Sequence, residues 1–209
     1  MKRRVLCFGD SNTWGYDAVS NGRFDEDTRW TSLLQKNLGD GWTVIEEGLC
    51  GRTAVFEDPL NEGMNGLTYL YPCMKTHEPL DYMIIMLGTN DCKERFSATP
   101  VNIADGMKRL IEKAKQINAW RGEPRILLVC PAPIGRECES SPVAGEMGRC
   151  ADKSALLAQT YRDCAALTGV RFWDSAEVVT MNRIDFMHLD ADSHRRFADA
   201  ITEKLLDWN

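Results

Sequence analysis

A few widely separated residues of the sequence could together activate a serine hydroxyl. They are Ser11 near the start, Asn90, and the pair Asp185 and His188, which stand three positions apart. A serine hydroxyl is a weak nucleophile until a base takes its proton, and an imidazole with its usual pKa of about 6.5 does this at neutral pH. A carboxylate on the other ring nitrogen fixes the tautomer of that base. The set predicts nucleophilic catalysis with Ser11 as nucleophile, His188 as base and Asp185 as its orienting partner.

Nitrogen donors near these positions could bind the negative charge of a tetrahedral intermediate. The glycine-bearing loop 48–51 can present the N–H of Gly51 without obstruction by a side chain, and Asn90 can add its side-chain amide. The N–H of Ser11, at the start of a helix, would be a third donor. Each such donor typically stabilises the transition state by about 3 kcal/mol. Ser11, Gly51 and Asn90 are therefore the predicted oxyanion hole.

Each of these segments also has a purely structural interpretation. Asp10 and Ser11 are both favoured helix N-cap residues, the sequence Gly-Thr-Asn-Asp at 88–91 fits a β-turn, and an isolated Asp-x-x-His is often a surface turn. The other two histidines are weaker candidates for a base, because His77 lies in a segment rich in helix breakers and His194 falls inside the final predicted helix. The agreement of all the segments in chain order favours the catalytic interpretation.

Bulky side chains close to Ser11 predict a small acyl pocket. Trp14 and Tyr16 follow within five residues, and the irregular stretch 54–79 adds a wall of apolar residues at 64–71. Short acyl groups such as acetyl would fit such a pocket, whereas the alternative is that the aromatic rings belong to the core. The candidate substrate-binding residues are Asp10, Trp14, Tyr16 and Cys50.

The elements that must position these residues alternate between strands and helices. Strand-like apolar runs occupy 4–8, 42–46, 82–87, 125–129 and 170–174, and helical spacing of apolar residues occupies 29–38, 103–120, 151–168 and a last helix that begins at Asp190 or Asp192 and includes Leu206. This alternation predicts an α/β fold, with three α/β/α layers and a five-stranded parallel sheet of order 2-1-3-4-5, in one domain over 1–209. The candidate residues then follow strands one, two, three and five and meet at one edge of the sheet.

Two segments have no regular period. The stretch 54–79 is predicted to be partly helical and to form one wall of a pocket, since irregular stretches inside compact domains are often functional. The stretch 134–150, with its glycines and mixed charges, is predicted to be a surface excursion near the same end of the sheet.

Composition restricts the classes of partner. The 31 acidic and 25 basic residues give a net charge of −6 and a pI near 5.2, and without a basic block no nucleic-acid partner is predicted. No apolar run reaches the roughly 18 residues of a membrane span, and the first strand is too short for a secretory signal, so a cytoplasmic protein without membrane contact is expected.

The cysteines give no sign of a cofactor. The chain contains eight, at 7, 50, 73, 92, 130, 138, 150 and 164, and no two lie within four residues of each other. Cys-x2-Cys metal pairs are therefore absent, and reduced, partly buried thiols are expected. Cys138 and Cys150, in the excursion, are the pair least expected to be inert. No metal and no cofactor is predicted.

The four motifs resemble the four blocks of the SGNH (GDSL) hydrolase superfamily. These are Gly-Asp-Ser at 9–11, the loop 48–51, Gly-Thr-Asn-Asp at 88–91 and Asp-x-x-His at 185–188. Longer strings are similar to the bacterial arylesterase and acyltransferase branch, namely CFGDSNTWGY, RWTSLLQKNLG, VIEEGLCGRT, YMIIMLGTND and TPVNIADGM. The resemblance implies a flavodoxin-like SGNH fold and the same catalytic and oxyanion residues. Asn12 stands where the family usually has an apolar residue.

The expected function is therefore that of a serine esterase. It would hydrolyse small carboxylic esters, with short acyl groups and aryl or alkyl alcohols, through an acyl-enzyme. The resemblance adds acyl transfer to an alcohol acceptor, or perhydrolysis, which burial of the site by neighbouring subunits of a homo-oligomer would favour by excluding water. Two alternatives stay open: a carbohydrate O-acetyl esterase with the same machinery, and a non-catalytic α/β binding module.

Overall fold

The computed structural model describes residues 1–208 and contains one five-stranded parallel sheet. The strands are β1 (Arg3–Gly9), β2 (Trp42–Gly48), β3 (Tyr82–Met86), β4 (Ile126–Cys130) and β5 (Arg171–Asp174). Their order across the sheet is β2-β1-β3-β4-β5, and every neighbouring pair is parallel. The predicted five strands and their 2-1-3-4-5 order are confirmed.

Helices cover both faces of this sheet. They are α1 (Ser11–Trp14), α2 (Trp30–Leu38), α3 (Gly66–Thr76), α4 (Pro100–Gln116), α5 (Ala144–Met147), α6 (Ala151–Ala155), α7 (Leu157–Thr168) and α8 (Ala191–Leu206). Side chains of α3, α4 and α7 form one apolar cluster with one face of the sheet, and those of α2 and α8 form a second cluster with the other. The predicted three layers are confirmed.

Shorter elements connect these helices and strands. Single 3₁₀ turns occupy Gly39–Gly41, Asn90–Cys92, Glu94–Phe96, Arg136–Ser140 and Ser175–Glu177, and a two-stranded antiparallel ribbon pairs Tyr16–Asp17 with Gly22–Arg23. Among residues 1–208, no helix combines the length and the apolar character that crossing a membrane requires.

The register of the sheet brings three loops to one edge. In the ladder, Gly9 at the end of β1 is paired with Gly48 at the end of β2 and with Met86 at the end of β3. All five residues of β3 are buried, as expected of a central parallel strand covered on both faces. The loops after β1, β2 and β3 therefore start side by side.

Two helices differ from the bounds that apolar spacing predicts. Helix α4 starts at Pro100 instead of at 103, because Thr99 and Asn102 form a reciprocal capping box around a proline at the first helical position. It ends at Gln116, since Ile117 is extended. The predicted helix 151–168 is interrupted at Leu156, which separates α6 from α7.

The stretch 54–79 is partly helical, as predicted, because it contains α3. The prediction for 134–150 is wrong in one respect, since this segment is not only a surface excursion. Cys138, Met147 and Cys150 are fully buried in the core, and the two thiol sulfurs lie 4.0 Å apart. Turns of three to five residues bury single side chains, so they produce no apolar period in the sequence.

Candidate active site

A continuous hydrogen-bonded relay joins the serine, the histidine and the aspartate predicted from the sequence. Ser11 Oγ lies 2.8 Å from His188 Nε2, and His188 Nδ1 lies 2.7 Å from Asp185 Oδ2. Ser11 is the first residue of α1, directly after β1, whereas the other two lie in the loop between β5 and α8. All three side chains are buried. The fold thus brings together groups that are 177 residues apart in the chain.

The carboxylate of Asp185 is oriented by hydrogen bonds to Oδ1, the oxygen that does not face His188. Asp185 Oδ1 accepts the backbone N–H groups of Met187 and His188, each at 3.1 Å, and the side-chain amide of Asn182 at 2.9 Å. Burial by itself would raise the pKa of Asp185, but the hydrogen bond and charge of His188 and these amides outweigh it and hold the pKa below its ordinary value. A charged carboxylate oxygen is therefore directed at the imidazole.

Asn182 is a component of the site that the sequence analysis missed. Its Oδ1 accepts the N–H groups of Ile184 and Asp185, and its Nδ2 donates to Asp185 Oδ1 and to the carbonyl of His188. An asparagine that bonds the backbone two and three residues later is a typical Asx turn, so its position just before the Asp-x-x-His segment was the available signal.

Asn12 connects the serine turn to the histidine loop. Its Nδ2 donates to the carbonyl of Met187 at 3.1 Å, and its Oδ1 accepts the N–H of Leu189 at 2.9 Å. These two bonds lie on either side of His188, and the Trp30 indole donates to the Asn12 carbonyl at 3.0 Å. Asn12 therefore fixes the distance between Ser11 and His188.

The predicted oxyanion donors lie in loops that are joined to one another. Gly51 has a φ of +89°, a conformation that favours glycine. The Asn90 amide donates to the carbonyl of Arg52, the residue that follows Gly51, at 3.2 Å. The N–H of Leu49 donates to the Gly9 carbonyl at 3.2 Å. Among the hydrogen bonds of residues 1–208, none uses the N–H of Gly51 or of Ser11. These groups are available to a substrate oxygen.

The residues predicted to contact substrate lie around the relay at different depths. Tyr16 places its ring 4.4 Å from that of His188, and Trp14 and Cys50 are partly exposed. The Arg23 guanidinium holds Trp14 by lying 5.1 Å from its ring centre. Asp10 is buried, and its carboxylate caps α1, as the structural interpretation of the sequence expected. Contact of these four residues with substrate stays a prediction.

The remaining two histidines have other partners. His194, in α8 as predicted, is buried, and its Nδ1 accepts the N–H of Trp30 at the start of α2 at 3.2 Å. Burial lowers the pKa of His194 to about 4, so the ring stays neutral and able to accept this bond at pH 7. His77 Nε2 lies 2.7 Å from Glu47 Oε1. Neither ring contacts Ser11.

Two buried carboxyl groups, those of Asp10 and Asp91, are the chain neighbours of Ser11 and Asn90. Burial raises the pKa of Asp10 to about 6 and that of Asp91 to about 7. Asp91 Oδ1 accepts the N–H of Ala54 at 2.9 Å, while its Oδ2 has no partner among the described residues. Ionising Asp91 therefore places an incompletely solvated charge in the core.

Asp91→Asn is expected to stabilise the protein progressively as pH rises, relative to the wild type. The pKa of Asp91 rises from 3.8 to about 7, so the folded state keeps a proton that the unfolded state loses. That contribution is complete below pH 3.8 and is lost as pH rises through 7. Three pKa units correspond to about 4 kcal/mol at most. Chemical denaturation of both proteins at pH 5 and at pH 8 gives the difference between their free energies of unfolding at each pH.

The exposed Asp105 on α4 offers a matched control. The Asp105→Asn substitution makes the same change of side chain in contact with water, and its free energy of unfolding is measured at the same two pH values. If the difference in free energy of unfolding between Asp91→Asn and the wild type is the same at both pH values, the prediction is wrong.

Comparison with known proteins shows the family of the chain. The family model described as the GDSL-like lipase/acylhydrolase family matches residues 7–196. The native aryl esterase of M. smegmatis is 36% identical, with a TM-score of 0.92 over 99% of this chain and 100% of that one. A carbohydrate acetylesterase from Sinorhizobium meliloti is 37% identical, with a TM-score of 0.91 over 98% of this chain and 99% of the other. No curated protein sequence matches the chain.

The matched region includes every residue of the relay and of the candidate oxyanion hole. The likeness in structure extends over almost the whole length of both chains in each comparison, and the sequence identity exceeds one third. The resemblance stated from the sequence is confirmed: the chain belongs to the GDSL-like lipase/acylhydrolase family and is a carboxylic ester hydrolase.

Proposed function

We propose that this chain hydrolyses small carboxylic esters with short acyl groups through an acyl-enzyme on Ser11. The observation that carries the proposal is the relay in which Ser11 Oγ lies 2.8 Å from His188 Nε2 and His188 Nδ1 lies 2.7 Å from Asp185 Oδ2. These distances are those of a base within reach of the nucleophile's proton and of a carboxylate that orients the base.

In the proposed reaction, Ser11 Oγ attacks the ester carbonyl carbon while His188 Nε2 takes the hydroxyl proton. Asp185 stays charged and stabilises the imidazolium that forms. The carbonyl oxygen becomes an oxyanion and is bound by the N–H groups of Ser11 and Gly51 and by the Asn90 amide. When the intermediate collapses, the bond to the alcohol oxygen breaks and His188 gives the alcohol its proton. Water, activated by His188 in the same way, then releases the acid.

The surroundings of Ser11 support a short acyl group. Ser11 is 4% exposed and His188 is 6% exposed, so little space lies open around the reacting atoms. Tyr16 covers the His188 ring, and Met64 Sδ would lie only 3.0 Å from a Cβ placed on Gly51. An acetyl group fits beside these side chains more readily than a long chain. The alcohol half of the ester is proposed to be aryl, with an acetylated carbohydrate as the alternative, because the two similar structures include an aryl esterase and a carbohydrate acetylesterase.

A series of 4-nitrophenyl esters from acetyl to octanoyl tests this proposal. The expected result is the highest kcat/KM for acetyl or propionyl and a steep fall beyond butanoyl. A fluorophosphonate probe is expected to phosphonylate Ser11 with loss of fluoride, which inactivates the enzyme and adds the mass of the phosphonyl group to the peptide that contains Ser11. Acetate release from a fully acetylated monosaccharide, compared with phenyl acetate, separates the two alcohol classes. A preference for long acyl chains would refute the short acyl group. Labelling of a residue other than Ser11 would refute its role as the nucleophile.

Acyl transfer to an alcohol is a second proposed activity of the same site. It is supported by the low exposure of Ser11 and His188, because limited access of water prolongs the acyl-enzyme and favours a competing nucleophile. A neighbouring subunit in a homo-oligomer would restrict water further. Turnover of phenyl acetate with increasing benzyl alcohol measures the ratio of benzyl acetate to acetic acid. Formation of acetic acid alone at a high alcohol concentration would exclude transfer.

Asn90→Ala is expected to lower kcat by about 10²–10³-fold with little change in KM, because the amide donor binds the oxyanion more strongly than the substrate carbonyl. The measurement is the kinetics of phenyl acetate hydrolysis. The amide also donates to the Arg52 carbonyl, so the unfolding midpoint must be compared with that of the wild type. An unchanged kcat in a folded Asn90→Ala variant would show that Asn90 is not part of the oxyanion hole.

A further inference from the structure

Outside the relay, three side chains from two elements bring a sulfur, a nitrogen and an oxygen ligand together. Glu47 is near the end of β2, Cys73 is in α3, and His77 is the residue that caps the end of α3. Their ligand atoms all lie within 4.8 Å of one another. Among residues 1–208, this is the one group of three or more such side chains with that spacing.

The spacing follows from the local structure. Cys73 and His77 are four positions apart, so the end of α3 places both on the same side of the helix. The end of β2 places Glu47 opposite them, with its Oε1 at 2.7 Å from His77 Nε2. The sequence analysis considered only pairs of cysteines, and it therefore did not find a site that needs one residue from a different element.

The three ligand atoms, a sulfur, a nitrogen and an oxygen, fit a divalent cation of intermediate softness. Zn²⁺ binds thiolate sulfur at about 2.3 Å and imidazole nitrogen or carboxylate oxygen at about 2.0–2.2 Å, which places tetrahedral ligand atoms roughly 3.3–3.6 Å apart. Here the Glu47 and His77 atoms lie 2.7 Å apart and all three ligand atoms lie within 4.8 Å of one another, so small side-chain movements are needed to reach that arrangement. Three protein ligands leave the fourth position to water.

The site is accessible from solvent on one side. Cys73 is buried, whereas the side chains of Glu47 and His77 are 16% and 27% exposed. A cation can therefore reach the buried sulfur past the two outer ligands. The partly dry surroundings strengthen its attraction to the carboxylate and the thiolate.

The charge balance allows one cation of charge +2. Burial and the Glu47 carboxylate raise the pKa of Cys73 to about 12, so without metal the thiol keeps its proton. Binding exchanges that proton for the S–metal bond, and the thiolate and carboxylate together neutralise the ion. The positively charged Arg52 guanidinium acts on Cys73 and would repel the cation, but it is held by the carbonyls of Gly9 and Glu47 and stacks 4.3 Å from the Phe8 ring centre. The positive charge of Arg52 is expected to weaken binding of the cation.

We propose that Glu47, Cys73 and His77 bind one Zn²⁺ ion, or another borderline cation such as Co²⁺, at a site separate from the catalytic relay. None of the three side chains contacts Ser11 or His188. Glu47 directly precedes the loop that carries Gly51, so the bound ion would brace the base of that loop.

Titration of metal-free protein with Co²⁺ tests the proposal. One equivalent is expected to give the near-ultraviolet charge-transfer band of a cobalt–thiolate bond together with the visible bands of four-coordinate Co²⁺, and Zn²⁺ is expected to remove both. Cys73→Ser should abolish the near-ultraviolet band, and His77→Ala should weaken binding at least tenfold. Cys164→Ser, a buried cysteine on α7, is the matched control and should keep the complete spectrum.

Thermal unfolding with and without Zn²⁺ provides a second readout. The midpoint is expected to rise for the wild type and for Cys164→Ser but not for Cys73→Ser. If Cys73→Ser does not fold, the partly exposed His77→Ala carries the test. Absence of a cobalt–thiolate band at millimolar Co²⁺, or a band that survives Cys73→Ser, would overturn the proposal. Ester hydrolysis by the metal-free variants is measured separately, so failure of this site leaves the proposed activity untouched.

Discussion

Replacing Ser11 with alanine is expected to lower kcat for phenyl acetate at least about thousandfold, and by as much as about 10⁶-fold if the relay acts as a unit. Without Oγ, no acyl-enzyme can form, so the ester can react only with water bound near the oxyanion donors. KM should change little, because the lost group contacts the ester mainly as the new bond forms. The measurement is initial-rate kinetics, with active-site titration to exclude contamination by wild-type enzyme.

The fold should tolerate this change. The Ser11 hydroxyl makes its hydrogen bond to His188, and the backbone of α1 is held by the Asp10 cap and by Asn12. The unfolding midpoint should therefore stay within a few degrees of the wild type. Ser20→Ala, in the nearby exposed ribbon loop, is the matched control and should retain wild-type kinetics. Comparable turnover by Ser11→Ala would mean that the reaction does not proceed through this hydroxyl.

Asp185→Asn is expected to lower kcat by about 10⁴-fold while leaving the loop folded. Three N–H donors surround Oδ1, so the amide oxygen of asparagine must occupy that position and its NH₂ must face His188 Nδ1. Nδ1 then becomes an acceptor, the ring proton moves to Nε2, and the base can no longer accept the proton of Ser11. The loss therefore comes from the wrong tautomer rather than from a disrupted loop.

Two measurements distinguish this explanation from simple unfolding. Asp190→Asn, in the same loop, keeps a good N-cap for α8 and should leave kcat within about twofold, since asparagine and aspartate cap equally well. The double variant Ser11→Ala/Asp185→Asn should be no slower than Ser11→Ala alone, because the two residues serve one proton transfer. Multiplicative losses would show that Asp185 acts independently of the nucleophile.

The sheet and the main site residues could be predicted because they depend on periodicity and on strand ends. The fully apolar run of β3 can pack only as a covered central strand, and parallel strands gather their carboxyl ends at one edge. Ser11 and Asn90 each follow a glycine at such an end, so their proximity required no knowledge of side-chain geometry. Asp185 and His188 could be paired because one loop contains both.

The supporting contacts could not be predicted in the same way. Asn12 and Asn182 act through bonds to backbone groups whose positions depend on the loop conformation, so the sequence does not show which groups they bind. The buried thiols of Cys138 and Cys150 lie in turns too short to show a period. Glu47 approaches Cys73 only because the tertiary fold brings the end of β2 near one face of α3.

The separation between nucleophile and base has a consequence for folding kinetics. The Ser11 to His188 bond closes a segment of 177 residues, and closing a loop of that length costs more chain entropy than closing the short loops within a helix or a turn. The circular dichroism of the helices can recover while the two chain ends are still apart, whereas ester turnover can return only after α1 and the final loop have docked. The recovery of enzymatic activity in this protein therefore measures the docking of α1 against the final loop, which the circular dichroism of the helices does not measure.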